Sequence, residues 1–435
     1  MISLLKNKNT VYHIFFFMYT EKYIKSFKQK TMLPTDSGWN LFKSYLIEYR
    51  CSSNLNSFWN FGFLAGIFLA IQLVTGLHLS FWYTPHIDYA FDSVINIMRN
   101  VKYGWFIRYL HSNGASFFFI VIYIHILRGL YYGSYRKPRT MVWYSGVIIY
   151  FLMMGSAFLG YVLPWGQMSY WAATVITKLL TVIPYAGKTL VAWVWGGETI
   201  NNATLNRFFC LHYILPFSIA AIVCYHINVL HKVGSSNPLG FQTGAKNTIP
   251  FYPYFIVKDL VALAIIMILY MYFVFFYPEY LSHPDNYVPA NPMVTPAHIV
   301  PEWYFLPFYG VLRSFTDKIW GVVIMFASIF CLFLLPFLDR SRIKGNMFRN
   351  LSTKRDFFFF VFNFIFLGYL GSCAPEQPFI LLSLICSHIH LFFFFFALPY
   401  HSIDSLFGFI QNVKYTEKKT IVSIYTETIQ KFLKR

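Results

Sequence analysis

Two stretches, HSNGASFFFIVIYIH (111–125) and HYILPFSIAAIVCYH (212–226), decide how this chain folds and what it can hold. Each is an apolar run that opens and closes on histidine, with the two histidines 14 residues apart. On an α-helix that separation is about 3.9 turns and a rise of ~21 Å, so the two imidazoles of a run leave it on nearly one face. An ionisable ring inside an apolar membrane span is expensive and marks function rather than filling. Finding the same pattern twice, at one spacing, is hard to reconcile with isolated interhelical hydrogen bonds.

The rest of the chain reads as membrane around these two runs. Of 435 residues 57% are hydrophobic and 12% charged, where a soluble domain carries about 25% charged. Runs of about 20 apolar residues, the length that crosses a hydrocarbon core, lie near 58–82, 105–131, 141–163, 206–230, 256–277, 319–338, 357–372 and 378–399. The long connections are 83–104, 164–205, 231–255 and 278–318; the last is proline-rich and polar and cannot be lipid-exposed helix. Eight spans put both termini on one side, and the cations agree. The arm with Lys22, Lys25, Lys28, Lys30, Lys43 and Arg50, the loop with Arg136, Lys137 and Arg139, the loop with Arg340, Arg342, Lys344, Arg349, Lys354 and Arg355, and the tail with Lys431, Lys434 and Arg435 all fall on that face. A net charge of +18 that alternates this way belongs to topology, not to a nucleic-acid surface.

The expected fold is therefore an all-α polytopic membrane protein of eight transmembrane helices. Residues 1–56 form a basic extension with no cleavable signal, in which Ser37–Arg50 is spaced for an interfacial helix. Residues 57–235 form a four-helix bundle, 236–400 the later membrane helices, and 401–435 a basic tail.

Spans two and four run in the same direction, so His111 faces His212 at one level and His125 faces His226 at the other. Two imidazoles per site with no open position suit an electron-transferring b-type haem rather than oxygen binding, and a zinc site would want four ligands. Glycines repeat the spacing. Gly62 and Gly76 on the first span, and Gly146 and Gly160 on the third, are again 14 apart and run antiparallel to the histidines. Gly62 and Gly146 then lie level with His125 and His226, and Gly76 and Gly160 with His111 and His212, where close backbone approach leaves room for a flat macrocycle. Arg108 and Arg128, each three residues from a histidine, are placed to pair with propionates. The six cysteines contain no C-x-x-C pair, which argues against a zinc site, an iron–sulfur cluster or covalent haem attachment in this chain.

Longer strings carry a family resemblance: NFGFLAG (60–66), RYLHSNGAS (108–116), GYVLPWGQMSYWAATVIT (160–177), TLNRFFCLHYILPF (204–217), HPDNYVPANP (283–292) and PEWYFLPFYGVLRS (301–314). From about Trp59 to Tyr400 the chain resembles the cytochrome b family, the haem subunit of mitochondrial ubiquinol–cytochrome c oxidoreductase, respiratory complex III. The resemblance implies two haem b groups, ubiquinol as substrate, and a Q cycle that adds to the proton gradient. It also implies a Rieske-type iron–sulfur protein, a c-type cytochrome subunit and other complex III subunits as partners in a homodimeric assembly. The location it implies is the mitochondrial inner membrane, with both termini in the matrix. A quinol-oxidising pocket would adjoin His111 and His212, with Glu302 accepting a proton and Tyr161 and Tyr309 lining it. A lone carboxylate in an apolar, proline-bounded segment should titrate above its usual range, which suits general-base work. A quinone-reducing pocket would adjoin His125 and His226, with His231, Ser235 and Asp259 at the carbonyls and Lys258 beside them.

Two positions depart from the family pattern: Phe63 follows Gly62 where a small polar residue is usual, and Ala172 stands where glycine is usual. The extra methyl of Ala172 is expected to narrow the oxidising pocket. Two rival classes are a transporter with intramembrane histidines, which would show no haem absorbance, and the membrane anchor of a different oxidoreductase, which would lack PEWY.

Overall fold

The computed structural model describes Gly38, Asn40 and residues 43–240, 247–339, 341 and 351–402. Most of the basic arm before Lys43, residues 241–246, most of the loop after the sixth span and the tail beyond Ser402 lie outside the described residues. The described residues are mostly helical, as the apolar composition demands. Helix α1 (Phe61–Leu79) is entered through a 3-10 turn at Ser57–Asn60. The short α2 (Ala90–Arg99) leads into α3 (Gly104–Tyr132), followed by α4 (Thr140–Val162). Two short helices, α5 (Gln167–Lys178) and α6 (Gly187–Trp195), fill the next connection before α7 (Asn202–Val233). Then come α8 (Tyr254–Phe276), α9 (Leu306–Ser314), α10 (Lys318–Leu338), α11 (Leu351–Ser372) and α12 (Phe379–Phe392), the last running on to Ser402.

Seven of these helices are long and apolar enough to cross a bilayer. The seventh expected stretch, 357–372, lies in α11, but that helix carries Lys354, Arg355 and Asp356 in its first two turns and Asn363 at its middle, and it is not one of the seven. Asn363 is not stranded, because its amide donates to the Cys386 carbonyl at 2.9 Å. Span limits read from hydropathy fall within a few residues of the helices, with two larger errors: α7 begins four residues before its expected start, and α11 six.

Helix α1 packs along α3, and α4 along α7, as a bundle of four long helices requires. Its interior is apolar and aromatic: Phe68, Phe119, Val121 and Tyr270 are fully buried. Of the interfacial helix expected over Ser37–Arg50, Gly38 and Asn40 are helical and Lys43–Ile47 forms a π-helical turn. Beyond it the chain pairs instead: β1 (Arg50–Ser52) runs antiparallel to β2 (Thr248–Pro250), with Arg50 opposite Pro250. This ribbon ties the N-terminal segment to the start of α8.

The proline-rich connection is folded back into the protein. Gln167 N–H donates to the Val288 carbonyl (2.8 Å) and Ala290 N–H to Trp165 O (3.0 Å), which seats it on the start of α5. Further on, Trp303 Nε1 donates to Ser116 Oγ (3.0 Å), the Tyr123 hydroxyl donates to the Tyr304 carbonyl, and Tyr304 stacks on Phe119 with ring centres 4.0 Å apart. All three contacts are to α3, so the PEWY segment is held against the helix that carries His111 and His125.

Candidate functional site

Four histidines meet in two pairs. The ring centres of His111 and His212 are 6.3 Å apart with planes at 89°, and those of His125 and His226 are 6.5 Å apart at 59°. Two imidazoles on opposite faces of one metal ion, with metal–nitrogen bonds of about 2.0 Å and ring centres about 1.1 Å further out, would stand about 6.2 Å apart. The rings are too far apart to bond to each other, and the gap matches one ion between each pair.

Their Nδ1 atoms are already engaged. Thr75 Oγ1 donates to the Ile71 carbonyl (2.6 Å), so it accepts from His111 Nδ1 at 2.9 Å. Ser145 Oγ donates to the Met141 and Val142 carbonyls (2.9 and 3.0 Å) and accepts from His226 Nδ1 at 2.8 Å. His212 Nδ1 lies 2.8 Å from the Ser156 carbonyl, which can only accept. In these three rings the neutral imidazole carries its proton on Nδ1, leaving the Nε2 lone pair for a metal, the arrangement that orients metal-binding histidines. His125 differs, because its Nδ1 faces Arg128 Nη2, a donor, at 3.1 Å. Arg128 lies 5.1 Å over the Trp59 ring, and its Nε is buried with no hydrogen-bond partner. A buried guanidinium short of an anion is what a carboxylate-bearing cofactor would complete.

The glycines sit where the registers place them, and the reason is tighter than clearance for a macrocycle. A Cβ on Gly62 would lie 3.3 Å from His125 Cε1, on Gly76 3.0 Å from His111 Cε1, on Gly146 3.2 Å from His226 Cε1 and on Gly160 2.4 Å from His212 Cε1. Each glycine makes room first for the edge of an imidazole.

Beside His111 and His212 opens a cavity of about 270 Å³, walled also by Arg108, Tyr161, Tyr287 and Glu302. Burial pushes the Glu302 carboxyl up to about 7, with the Tyr161 hydroxyl and the Arg108 guanidinium pulling the other way. The Tyr161 hydroxyl is buried beside that carboxyl without a well-formed hydrogen bond of its own. Tyr309 is not among the lining residues; its hydroxyl donates to the Ile299 carbonyl at 3.1 Å. Ala172 is buried on α5 and does not line the cavity either.

On the opposite level, Asn60 Nδ2 donates to Asp259 Oδ1 at 2.5 Å, and Lys258 Nζ donates to the Leu55 carbonyl. Arg139 holds the turn after α7, with Nε to Gly234 O (2.7 Å) and Nη2 to Ser235 O (2.9 Å). The His231 ring stacks against Tyr45 and Tyr49.

Sequence reasoning missed Thr75, Ser145 and Ser156. A signal was there for two of them: Thr75 immediately precedes Gly76 and Ser145 immediately precedes Gly146, a hydroxyl next to each glycine.

Helices with paired imidazoles stacked across an apolar span define a polytopic membrane electron-transfer protein. The comparisons give the family. Residues 46–234 match the family model Cytochrome b/b6/petB, and residues 289–393 match Cytochrome b(C-terminal)/b6/petD. The cytochrome b of Rickettsia bellii is 54% identical over 82% of this chain and 90% of its own length, and that of the yeast Eremothecium gossypii 53% identical over 86% and 97%. A solved chain of a hyperthermophilic respiratory complex III superposes with a TM-score of 0.80 at 36% identity, covering 85% of this chain and 97% of that one. The chain belongs to the cytochrome b family. Its role is that of the core electron-transfer subunit of a quinol–cytochrome c oxidoreductase, and its binding chemistry is that of b-type haem and quinone.

Proposed function

We propose that the protein holds two haem b groups, one between His111 and His212 and one between His125 and His226, and works at two quinone pockets on opposite faces of the inner membrane. The observation that carries this is the cavity in which one imidazole pair and the buried Glu302 share a wall. Haem b, when bound, supplies one-electron transfer across the span. The chain does the rest. Thr75, Ser145 and Ser156 fix three ligand tautomers by accepting from Nδ1. Arg108 and Arg128 supply positive charge where propionates would lie.

A carboxyl raised to about 7 by burial can hold or lose its proton near neutral pH. It can take the proton of a quinol hydroxyl and release it outward, which is the match between pKa and working pH that general-base work needs. Tyr161, beside it, is positioned to orient the quinol head. At the other level His231, Ser235 and Asp259 serve quinone reduction, with Asn60 holding the Asp259 carboxylate in place. Tyr309 has a positioning role at most, through the Ile299 carbonyl.

The electron that leaves the oxidising pocket outward needs an acceptor that this chain does not provide. A Rieske-type iron–sulfur protein, a c-type cytochrome and the other complex III subunits, assembled as a homodimer, complete the enzyme. The same reading puts the protein in the mitochondrial inner membrane with both termini in the matrix.

The test is haem reduction by quinol through the oxidising pocket in the purified complex. Glu302→Gln should slow it by about 10² or more while both haem bands remain. An unchanged rate would remove Glu302 from the mechanism.

A further inference from the structure

We propose that Tyr45 and Tyr49, from the segment preceding the first membrane helix, clamp the His231 imidazole and thereby position it for the quinone of the reducing pocket. This rests on the assignment of His231 to that pocket made above. The ring of Tyr45 lies 4.4 Å from His231, centre to centre and 18° from parallel; that of Tyr49 lies 4.2 Å away at 30°. Both tyrosine rings stack on the one imidazole. Among the described residues neither imidazole nitrogen hydrogen-bonds to the protein. A ring gripped by its faces and free at its edges presents N–H or lone pair in one fixed plane, which is what recognition of a carbonyl oxygen requires.

The clamp is built from outside the helices that hold the other pocket residues. Tyr49 is fixed by backbone pairing, since its carbonyl accepts from Phe251 N–H at 2.7 Å and the next residue, Arg50, begins the ribbon opposite Pro250. Tyr45 sits one turn earlier, in the π-turn that Glu48 N–H closes onto the Lys43 carbonyl at 2.9 Å. Arg139 pins the Gly234–Ser235 turn from the other side, so the C-terminal end of α7 cannot slide away from the clamp. The N-terminal segment and the leader of α8 thus act together on one imidazole. Neither tyrosine needs to touch the quinone; both act through His231.

The stacking contacts need aromatic faces and not hydroxyls, and that separates positioning from simple folding support. In the purified complex, with the oxidising pocket inhibited, decylubiquinol should reduce the haem only through the reducing side. Tyr45→Leu together with Tyr49→Leu should raise the KM of that reaction about tenfold, the scale of losing two stacked ring pairs, with the maximal rate and the haem spectrum retained. Tyr45→Phe together with Tyr49→Phe should stay within about twofold of the parent. A leucine variant with the parent KM, or a phenylalanine variant as impaired as the leucine one, overturns the clamp. His231→Ala is measured alongside. If it impairs reducing-side KM and the leucine variant does not, the clamp alone is wrong; if His231→Ala has no effect, the pocket assignment falls and the clamp with it.

Discussion

At the scale of single residues the site is governed by what each imidazole touches besides a metal. A glycine at the right register admits the ring edge, and a hydroxyl or carbonyl oxygen takes the Nδ1 proton. Because the four glycine clearances are unequal, the four positions should tolerate a methyl unequally. At Gly160 an added Cβ would lie 2.4 Å from His212 Cε1 and 2.8 Å from Nδ1, so the ring must turn away from its bond to the Ser156 carbonyl. Gly160→Ala is expected to abolish haem retention at the His111/His212 site, whereas Gly62→Ala, at 3.3 Å, should retain the other. Optical spectra of the two variants, read for one against two b-type bands, check this.

Glu302 makes a second residue-scale prediction. Its carboxyl is raised to about 7 by burial, so it is protonated below that pH and ionised above it. If the ionised form accepts the quinol proton, turnover should rise by about tenfold per pH unit below 7 and level off above it. A pH profile of quinol-dependent cytochrome c reduction reads the step directly, and Glu302→Gln should remove it.

At the scale of elements, the two halves of the membrane domain are locked by polar contacts at one face. Arg136, in the loop between α3 and α4, pairs with Asp339 at the end of α10, and both side chains are buried. Tyr135 and Ser402 also donate to that carboxylate, so three segments converge on one charge. Removing Arg136 would break this buried ion pair, which costs about 3–5 kcal/mol. Arg136→Ala should therefore lower the thermal unfolding midpoint of the purified complex by several degrees, while Lys137→Ala next to it should leave the midpoint in place.

Spans were legible in the sequence because crossing a bilayer needs only length and apolarity, and both are local. The β1–β2 ribbon was not, since it joins Arg50–Ser52 to Thr248–Pro250 across some 200 residues and neither strand has a period long enough to read. The interfacial helix expected over Ser37–Arg50 gives way at its last residue, where Arg50 pairs with Pro250.

For the molecule as a whole, the most informative feature of the sequence was a repeated number. Fourteen residues between histidines on two spans, and between glycines on two others, fixes the levels of both sites, and the observed imidazole–glycine contacts follow that register. What could not be read was how the non-helical segments close on the bundle. PEWY is drawn against α3 by Trp303–Ser116 and Tyr304–Phe119, contacts that no periodicity announces. Tyr309 illustrates the limit: the resemblance placed it at the pocket, whereas its hydroxyl is committed to the Ile299 carbonyl.

All of this depends on two iron porphyrins per polypeptide, each gripped by one imidazole from α3 and one from α7. Pyridine haemochrome assay of the purified complex, set against the amount of this chain by quantitative amino-acid analysis, counts them. Two b haems per chain are expected, falling to one when His212 alone is replaced by alanine. One haem per chain in the parent protein, or two that survive the loss of His212, would contradict it.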